Sequence, residues 1–342
     1  MRTFDGPVRW GIIGAGNVTE NKSGPGLAKA EGSALVAVMR RDAHAAADYA
    51  RRHGVPRHYA DADALIHDDE VDAVYVATPP DSHADYAIRV ARAGKPVYVE
   101  KPMARTAAEC DAMIRAGAAA DVPVFVAYYR RAMPRFELVH RLLDDGAIGT
   151  VLTVNVTHLG VDTTDRDHLP WRVIPSIAGG GFFVDLAAHA LDVFDHWFGP
   201  IADVAGQATN HGGNYPAEDT VTMSWSHAEG AQGTGTWCFC ASRATDEILI
   251  EGTHGTLSMS CFGEEPVRLV TASGVRASGV TASGERAIEA AYPEHVQQPL
   301  IQTIVDELHG RCRCPSTGES ARRTSAVIDT VLAGYRAAST PD

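Results

Sequence analysis

Val8-Arg-Trp-Gly-Ile-Ile-Gly14-Ala-Gly16 is the stretch that decides the fold of the first half of the chain. Its apolar run is typical of a buried strand in a parallel sheet. The glycines that follow allow a tight turn and a close approach of the backbone to a pyrophosphate, which would lie at the N-terminus of the next helix. The stretch therefore predicts a dinucleotide site that includes Gly14, Gly16, Asn17 and Val18.

The helix after this turn departs from the simplest dinucleotide-binding unit. Thr19 stands where a third glycine is usual, but backbone amides rather than that side chain would hold the phosphate. Gly24-Pro25 cannot continue a regular helix. We therefore predict a short helical turn from Asn17 to Lys22 and a second helical piece from Pro25.

The second predicted strand, Ala34–Met39, ends in Arg40-Arg41-Asp42. An NAD enzyme would place an acidic residue there to bind the ribose 2′-hydroxyl. Guanidinium groups bind and stack against a 2′-phosphate, so Arg40 and Arg41 favour NADP over NAD. The alternative is two solvated arginines beside Asp42, which would cap the next helix.

Strands and helices alternate as far as Ala127, which predicts βαβ units and a doubly wound parallel sheet. The predicted helices lie at 43–52, 62–67, 83–93 and 106–119, and the further strands lie near 58 and at 73–78, 96–99 and 122–127. Because the carboxyl ends of parallel strands share one edge, residues after two of these strands should reach the cofactor. They are Thr78, Pro79, Pro80, His83, Glu100 and Lys101.

Lys101 has a special place at this edge, in the segment Tyr98-Val99-Glu100-Lys101-Pro102. Its amine would point into the crevice where such sheets bind ligands. The alternative is an ordinary solvated lysine in a strand-to-helix loop. Pro102 predicts a constrained Lys101–Pro102 bond that aims the amine, with the cis isomer as one option.

The pattern changes after Tyr128, where a helix at 134–144 leads into successive strands of period two. Short turns between these strands indicate a large, mostly antiparallel open sheet, and helices at 295–309 and 319–338 complete the chain. We predict two domains, an α/β domain at 1–127 and an α+β domain at 128–342. The repeated Thr-Ala-Ser-Gly at 271–274 and 281–284 predicts an exposed loop.

A polar stripe lies on an otherwise apolar predicted helix, 182–198, that follows Gly179-Gly-Gly181. The stripe contains Asp185, His189, Asp192 and His196 at helical spacing. Asp185 and His189, four residues apart, would hydrogen-bond and fix the imidazole tautomer, which suits a general acid or base. One alternative is a core helix with satisfied histidines. The other is a metal site, and we predict no metal because its ligands would run over three turns.

Composition bounds the functions that the chain can have. The 342 residues, 45% hydrophobic and 21% charged, are typical of a two-domain globular protein. The net charge of -13 opposes binding to nucleic acid or to an anionic membrane. No uninterrupted apolar run is long enough to cross a bilayer and no signal segment is evident, so we expect a cytoplasmic protein with reduced cysteines.

Together these motifs resemble the Gfo/Idh/MocA family of pyridine-nucleotide oxidoreductases, which includes glucose-fructose oxidoreductase, inositol dehydrogenases and dihydrodiol dehydrogenases. The resemblance covers nearly the whole chain and also rests on Ala77-Thr-Pro-Pro80, Trp171-Arg172 and Pro315-Ser-Thr-Gly-Glu-Ser320. It implies an N-terminal Rossmann domain and a C-terminal substrate-binding domain whose open sheet makes homodimer or homotetramer contacts. It also implies that Lys101, Asp185 and His189 surround the reacting carbon.

We therefore predict an NAD(P)-dependent dehydrogenase or reductase, with NADP favoured, that moves a hydride between nicotinamide C4 and a secondary alcohol or ketone of a sugar, inositol or related polyol. His189 would exchange the hydroxyl proton while Asp185 orients it, and the choice of base between Lys101 and His189 stays open. The alternatives are a glycosidase or lyase that retains its cofactor and a non-catalytic sugar or cofactor sensor. The substrate-binding candidates are Lys101, Tyr129, Trp171, Arg172, Asp185 and His189.

Overall fold

The computed structural model describes residues 3–228, 230–271, 276–277, 280–281 and 284–339. The chain divides into two compact units. The first contains Met1–Met133 and Pro293–Ser325, and the second contains Pro134–Tyr292 and Ala326–Asp342. The division after Met133 lies six residues beyond the predicted one after 127, and 293–325 group with the first unit rather than with the rest of the predicted second domain.

The sheet of the first unit has six parallel strands. They are β1 (Val8–Ile13), β2 (Ser33–Met39), β3 (Arg57–Tyr59), β4 (Ala73–Val76), β5 (Val97–Val99) and β6 (Val124–Val126). Their order is β3-β2-β1-β4-β5-β6, so the chain steps outward in both directions from the β1/β4 pair. This is the doubly wound Rossmann arrangement that the alternating sequence predicts. All residues of β4 and β5 are buried, as expected for strands covered on both faces.

Helices follow these strands in turn. They are α1 (Asn17–Asn21), α2 (Ser23–Lys29), α3 (Ala43–His53), α4 (Ala62–Ile66), α5 (His83–Arg92) and α6 (Ala107–Ala119). Side chains of Asp42, Asp61 and Thr106 accept backbone N–H groups at the starts of α3, α4 and α6. Short polar residues at these three positions therefore set where the helices begin.

The second unit is built on an eight-stranded sheet. Its strands are β7 (Val151–Leu159), β8 (Ile201–Thr209), β9 (Thr220–His227), β10 (Gln232–Cys238), β11 (Thr245–Gly252), β12 (Gly255–Met259), β13 (Val267–Thr271) and β16 (Gly284–Ile288), while β14 (Arg276–Ala277) and β15 (Val280–Thr281) form a separate pair. The order is β16-β13-β12-β11-β7-β10-β9-β8, and β7 pairs parallel with β10 while the other pairs are antiparallel. The predicted antiparallel sheet is confirmed with this one exception, and much of the predicted loop at 271–284 lies outside the described residues.

The helices of the second unit begin with α7 (Pro134–Asp144), α8 (Pro175–Ala178) and α9 (Ala188–Phe198). A π-helical turn, Phe183–Ala187, immediately precedes α9. The segment Pro175–Phe198 is long and apolar enough to cross a membrane by length and composition, with a mean hydropathy of 1.4. Of its most apolar window, 72% is buried inside the fold, which is the usual environment of a core helix.

The chain returns to the first unit near its end. Helix α10 (Gln298–Leu308) belongs to that unit, and α11 (Gly318–Ser339) contains residues of both. Between these helices, Ser316 Oγ donates to Val126 O at 2.7 Å, and Thr317 forms an antiparallel bridge with Phe125. The returning segment is thus hydrogen-bonded to the edge strand β6.

Candidate functional site

The glycine turn after β1 is shaped by what each glycine touches. Gly14 has a φ of 89°, and a Cβ at this position would lie 2.7 Å from Thr78 Cγ2. A Cβ on Gly16 would meet only Gly14 O, at 3.7 Å. Gly14 is therefore required by the turn, whereas Gly16 leaves the backbone open to a ligand.

Thr19, in place of a third glycine, ties this turn together. Its hydroxyl accepts from Gly16 N at 2.9 Å and donates to Gly16 O at 2.8 Å, and its carbonyl accepts from the Tyr49 hydroxyl at 2.8 Å. A Cβ on Gly24 would lie 2.2 Å from Thr19 O. The break between α1 and α2 depends on this approach, and the second helical piece begins at Ser23, two residues before the predicted Pro25.

The two arginines after β2 are half-buried Arg40 and exposed Arg41. Asp42 accepts from Ala45 N at 3.1 Å and from His44 N at 2.9 Å, and these bonds lower the pKa of its carboxyl. The helix-capping role of Asp42 is confirmed. Arg40 and Arg41 directly follow β2, so their positive charges lie at the carboxyl end of that strand, where a ribose would be recognised.

The residues at this edge fit the dinucleotide that a doubly wound fold implies. The open space at Gly16 admits a pyrophosphate against the backbone. Arg40 and Arg41 supply positive charge at the next strand end. Asn17 and Val18 begin α1 directly after the turn, so all these positions lie at the carboxyl edge of the first sheet.

His83 links two loops at the same edge. Its Nε2 lies 2.6 Å from Thr78 O, and its Nδ1 lies 3.1 Å from Pro102 O. Thr78 Oγ1 also accepts from Ser82 Oγ at 2.8 Å, and this bond spans Pro79 and Pro80. His83 is fully buried, and that burial lowers the pKa of its imidazole. Its visible role is to join the loop after β4 to the loop after β5.

Glu100 is held by three donors in the core of the first unit. Its Oε1 accepts from the Tyr75 hydroxyl at 2.5 Å and from Gln297 Nε2 at 2.6 Å, and its Oε2 accepts from Lys101 N at 3.1 Å. The Tyr98 hydroxyl donates to Gln297 Oε1 at 3.0 Å, and the two tyrosine rings stack at 4.6 Å. Burial raises the pKa of both tyrosines well above the usual value, and the Glu100 charge adds to the effect.

Gln297 and Tyr75 are residues of this site that sequence reasoning missed. Gln297 is 197 positions from Glu100 and lies in the segment that returns to the first unit. Tyr75 looks like an ordinary apolar residue of a buried strand. Neither carries a local signal, because their polar contacts arise only when β4, β5 and the returning segment pack together.

The Lys101 backbone is fixed on both sides. Its N–H donates to Glu100 Oε2, and the Lys101–Pro102 peptide bond is cis, which confirms the constrained geometry predicted for it. The residue is half-buried and follows β5 at the carboxyl edge of the sheet.

In the second unit, a second buried carboxylate supports the glycine triplet. Glu218 Oε1 accepts from Gly181 N at 2.7 Å, and a Cβ on Gly180 would lie 3.0 Å from the same oxygen. Gly179 has a φ of 84°, and its carbonyl accepts from Arg336 Nη2 at 2.7 Å. Burial raises the pKa of Glu218 to about 7, although the hydrogen bond from Gly181 opposes the shift.

Asp185 lies in the π-helical turn that the triplet leads into. The predicted helix at 182–198 is confirmed in position, but its first turn is π rather than α. Asp185 Oδ2 accepts from Arg172 Nε at 3.1 Å, and the Arg172 guanidinium lies 4.4 Å from the centre of the Trp171 ring. Two predicted site residues, Arg172 and Asp185, are therefore in direct contact. Single π turns occur often at functional sites.

His189 is buried on α9, with 3% of its surface exposed. Its ring lies 5.8 Å from that of Phe262, which is 5.1 Å from the ring of His158. Phe262 and His158 line a cavity of about 580 Å³ together with Asp246. Burial opposes the ionisation of Asp246, but the nearby His158 imidazole and hydrogen bonds from Ser260 and Phe262 N lower its pKa to about 2.

The six substrate-binding candidates do not all lie in one unit. Lys101 and Tyr129 belong to the first, and Trp171, Arg172, Asp185 and His189 belong to the second. Tyr129 is 8% exposed, and the Arg130 guanidinium lies 5.1 Å from its ring centre. Sequence reasoning also missed Phe262 and Glu218, which lie far along the chain from the residues that they contact.

Comparison with known proteins also divides the chain into a dinucleotide-binding domain and a second domain. Residues 8–128 match the family described as "Oxidoreductase family, NAD-binding Rossmann fold", and residues 136–258 match the GFO/IDH/MocA C-terminal domain. The two matches adjoin the division between the two units.

Curated relatives align along nearly the whole chain. Oxidoreductase P35 of Formosa agariphila is 37% identical over 328 residues, which is 94% of this chain and 97% of the relative. The 1,5-anhydro-D-fructose reductase of Ensifer adhaerens is 27% identical and covers 97% of this chain and 96% of its own. A solved structure of levoglucosan dehydrogenase with NADH shares the fold, with a TM-score of 0.86, 23% identity and 97% of each chain covered.

Proposed function

The chain belongs to the GFO/IDH/MocA oxidoreductase family, and on that premise we propose that it moves a hydride between NADP and a secondary alcohol of a cyclic sugar or polyol. It is a dehydrogenase or reductase that acts on CH–OH groups and has an NAD-binding Rossmann domain. The choice of NADP and the class of substrate are the parts that we add.

The cavity beside Phe262 supports a substrate of this kind. Its volume of about 580 Å³ falls within the usual range for small-molecule sites. Phe262 offers an aromatic wall, and Asp246 and Ser260 offer polar groups. Levoglucosan and 1,5-anhydro-D-fructose, which give two relatives their names, are the first compounds to test.

The chemistry assigned to the chain is proton transfer and orientation. A bound nicotinamide would supply the hydride donor or acceptor. His189 would take the hydroxyl proton during oxidation and return it during reduction. Asp185, held by Arg172, would orient that imidazole. Lys101 would hydrogen-bond the same substrate oxygen, or act as the base in place of His189.

The observation that carries the proposal is the fixed backbone of Lys101. A buried carboxylate with three donors holds the Lys101 amide at the edge of the sheet that carries the glycine turn. A solvated loop lysine needs no such support. Rigid placement of an acid or base near the reacting carbon is what converts binding into rate.

Turnover of sugars and inositols with NADP and NAD, followed at the absorbance band of the reduced cofactor, tests the proposal. We expect Lys101→Ala and His189→Ala each to lower kcat/KM about a hundredfold or more. Lys22→Ala, an exposed lysine after α1, is the control and should keep the wild-type rate. Losses below about tenfold in both site variants would remove the assigned roles.

The same assay separates the alternative functions. A glycosidase or lyase that retains its cofactor consumes a glycoside without net reduction of NADP. A sensor binds sugar or cofactor and gives no turnover at all. Stoichiometric formation of ketone and reduced cofactor supports the dehydrogenase.

The cofactor preference is tested by Arg40→Ala combined with Arg41→Ala. We expect KM for NADP to rise about tenfold or more, because the 2′-phosphate loses its guanidinium partners, while KM for NAD changes little. Arg92→Ala, an exposed arginine at the end of α5, is the control. A wild-type preference for NAD would contradict this part of the proposal.

We also propose a cytoplasmic homodimer or homotetramer that associates through the eight-stranded sheet. A row of paired residues crosses one face of that sheet, from Ser258 and Leu249 through Asn155 to Thr234 and Ser224. Ser224 and Thr234 are exposed in the single chain. Light scattering should give two or four chains, and Ser224→Arg together with Thr234→Arg should give monomers.

A further inference from the structure

Two helices of the second unit, α7 and α9, bring three metal-binding side chains together. Glu137 and His140 are three residues apart on α7, so they lie on one face of that helix. His196 comes from the last turn of α9. Each residue offers one ligand atom, and the three atoms all lie within 4.8 Å of one another.

The contacts within this Glu137–His140–His196 cluster are not those of a hydrogen-bonded network. His196 Nε2 lies 3.8 Å from Glu137 Oε1, beyond hydrogen-bond distance. This nitrogen is buried and has no hydrogen-bond partner among the described residues. The rings of His140 and His196 meet edge to face at 4.6 Å. The cluster thus contains a buried ring nitrogen for which the described parts of the chain provide no hydrogen-bond partner.

The charge in the cluster also favours a cation. The Glu137 carboxylate supplies a negative charge 3.8 Å from the His196 imidazole. Side-chain exposures of 38% for Glu137, 27% for His140 and 17% for His196 leave one side of the cluster open to water. Asp144 Oδ2, 3.8 Å from His140 Nε2, adds negative charge at the rim.

We propose that Glu137, His140 and His196 bind a divalent transition-metal ion, with Zn²⁺ as the best match. Two imidazoles and one carboxylate are a usual protein ligand set for zinc, with water in the fourth position. Tetrahedral bonds of about 2.0 to 2.1 Å require ligand atoms roughly 3.3 Å apart. The 3.8 Å pair must therefore close by about half an ångström, and a pair at the 4.8 Å limit of the cluster by about 1.5 Å. Small rotations of the partly exposed Glu137 and His140 side chains provide that movement.

The ion would fasten α7 to the C-terminal end of α9. His196 is seven residues after His189 on that helix, so the site lies two turns from the histidine proposed as acid or base. The ion has no place in hydride transfer and would act by restraining the helix that carries His189. The site stands or falls independently of the proposed reaction.

Calorimetric titration of the metal-stripped full-length chain with Zn²⁺, and visible absorption with Co²⁺, test the site. We expect one ion per chain and the intense d–d bands of four-coordinate Co²⁺. His140→Gln and His196→Gln should each weaken binding about tenfold or more, within the range seen when a metal site loses an interaction. A rise in the midpoint of thermal unfolding with Zn²⁺ should disappear in the same variants.

Controls keep the test decisive. His168→Gln removes an exposed histidine of the same unit that pairs with Asp165 at 3.1 Å, and it should bind as the wild type does. Glu137→Gln preserves side-chain volume and serves if a histidine variant fails to fold. Absence of binding, or binding that survives both histidine substitutions, would overturn the proposal and leave a Glu–His ion pair.

Discussion

Each unit has a buried carboxylate that accepts a hydrogen bond from a backbone N–H near a predicted site residue, but the two carboxylates differ in their other hydrogen-bond donors. Glu100 holds Lys101 N and also accepts from two side chains, Tyr75 and Gln297. Glu218 holds Gly181 N, four residues before Asp185, and its pKa is raised to about 7 by burial. The comparison teaches that burial can raise the pKa of a carboxylate such as Glu218, whereas the three donors around Glu100 make it an anchor for the loop that carries Lys101.

The largest effect that we expect is from Glu100→Ala. It leaves the buried donors of Tyr75 and Gln297 without their acceptor, so the free energy of unfolding should fall by roughly 4 kcal/mol. Urea denaturation measures this, with Glu31→Ala, an exposed glutamate, as the control. A loss below about 1 kcal/mol would mean that the anchor role is mistaken.

Glu218 should make stability depend on pH in the opposite sense to an ordinary paired carboxylate. A carboxyl whose pKa rises from 4.5 to about 7 on folding holds its proton more tightly in the folded state. The free energy of unfolding should therefore fall by about 3 kcal/mol as the pH rises from about 4.5 to about 7, and then stay level. Urea unfolding at several pH values should show this fall in the wild type and in Glu247→Gln, an exposed control, but not in Glu218→Gln.

The two tyrosines near Glu100 should differ from each other. Tyr75→Phe removes a hydrogen bond to a carboxylate, and we expect a loss of about 2 kcal/mol. Tyr98→Phe removes a bond to the neutral amide of Gln297, with an expected loss of about 1 kcal/mol. Unfolding of the two single variants and the double variant measures these losses and their coupling through Gln297. Equal losses of unfolding free energy in the two single variants would show that the charge on Glu100 does not strengthen its hydrogen bond with Tyr75.

The smallest effect should come from Arg172→Ala. Its side chain is 44% exposed, so the contact with Asp185 should contribute less than about 1 kcal/mol to stability. If Arg172 positions Asp185, as proposed, kcat should fall while the unfolding free energy hardly changes. Thermal unfolding beside steady-state kinetics separates the two. Arg92→Ala, which is also exposed, should alter neither.

Much of the fold followed from local sequence patterns. Helix α7 begins and ends at the predicted residues, because its periodicity and Pro134 mark its boundaries. The parallel β7/β10 pairing could not be predicted, since two other strands, β8 and β9, lie between these two along the chain. The π turn before α9 was missed because an inserted residue leaves the apolar pattern of the helix almost unchanged.

In the candidate site, too, sequence patterns identified some residues and missed others. Motifs identified Gly14, Thr78 and Lys101 because each stands beside a glycine, a proline or a strand end. The partners that hold those motifs have no such mark. Glu218 and Gln297 become visible only through the carboxylate and amide contacts that distant segments make on packing.

The return of 293–325 to the first unit has a consequence for synthesis on the ribosome. Strand β5 and Glu100 emerge long before Gln297, so the nascent first unit holds a carboxylate that still lacks one of its donors. Domains usually fold as units in the order in which they are made. Here residues 134–292 of the second unit must be translated before the first unit can close around Glu100, so the N-terminal sheet should reach its final stability only after Gln297 has emerged.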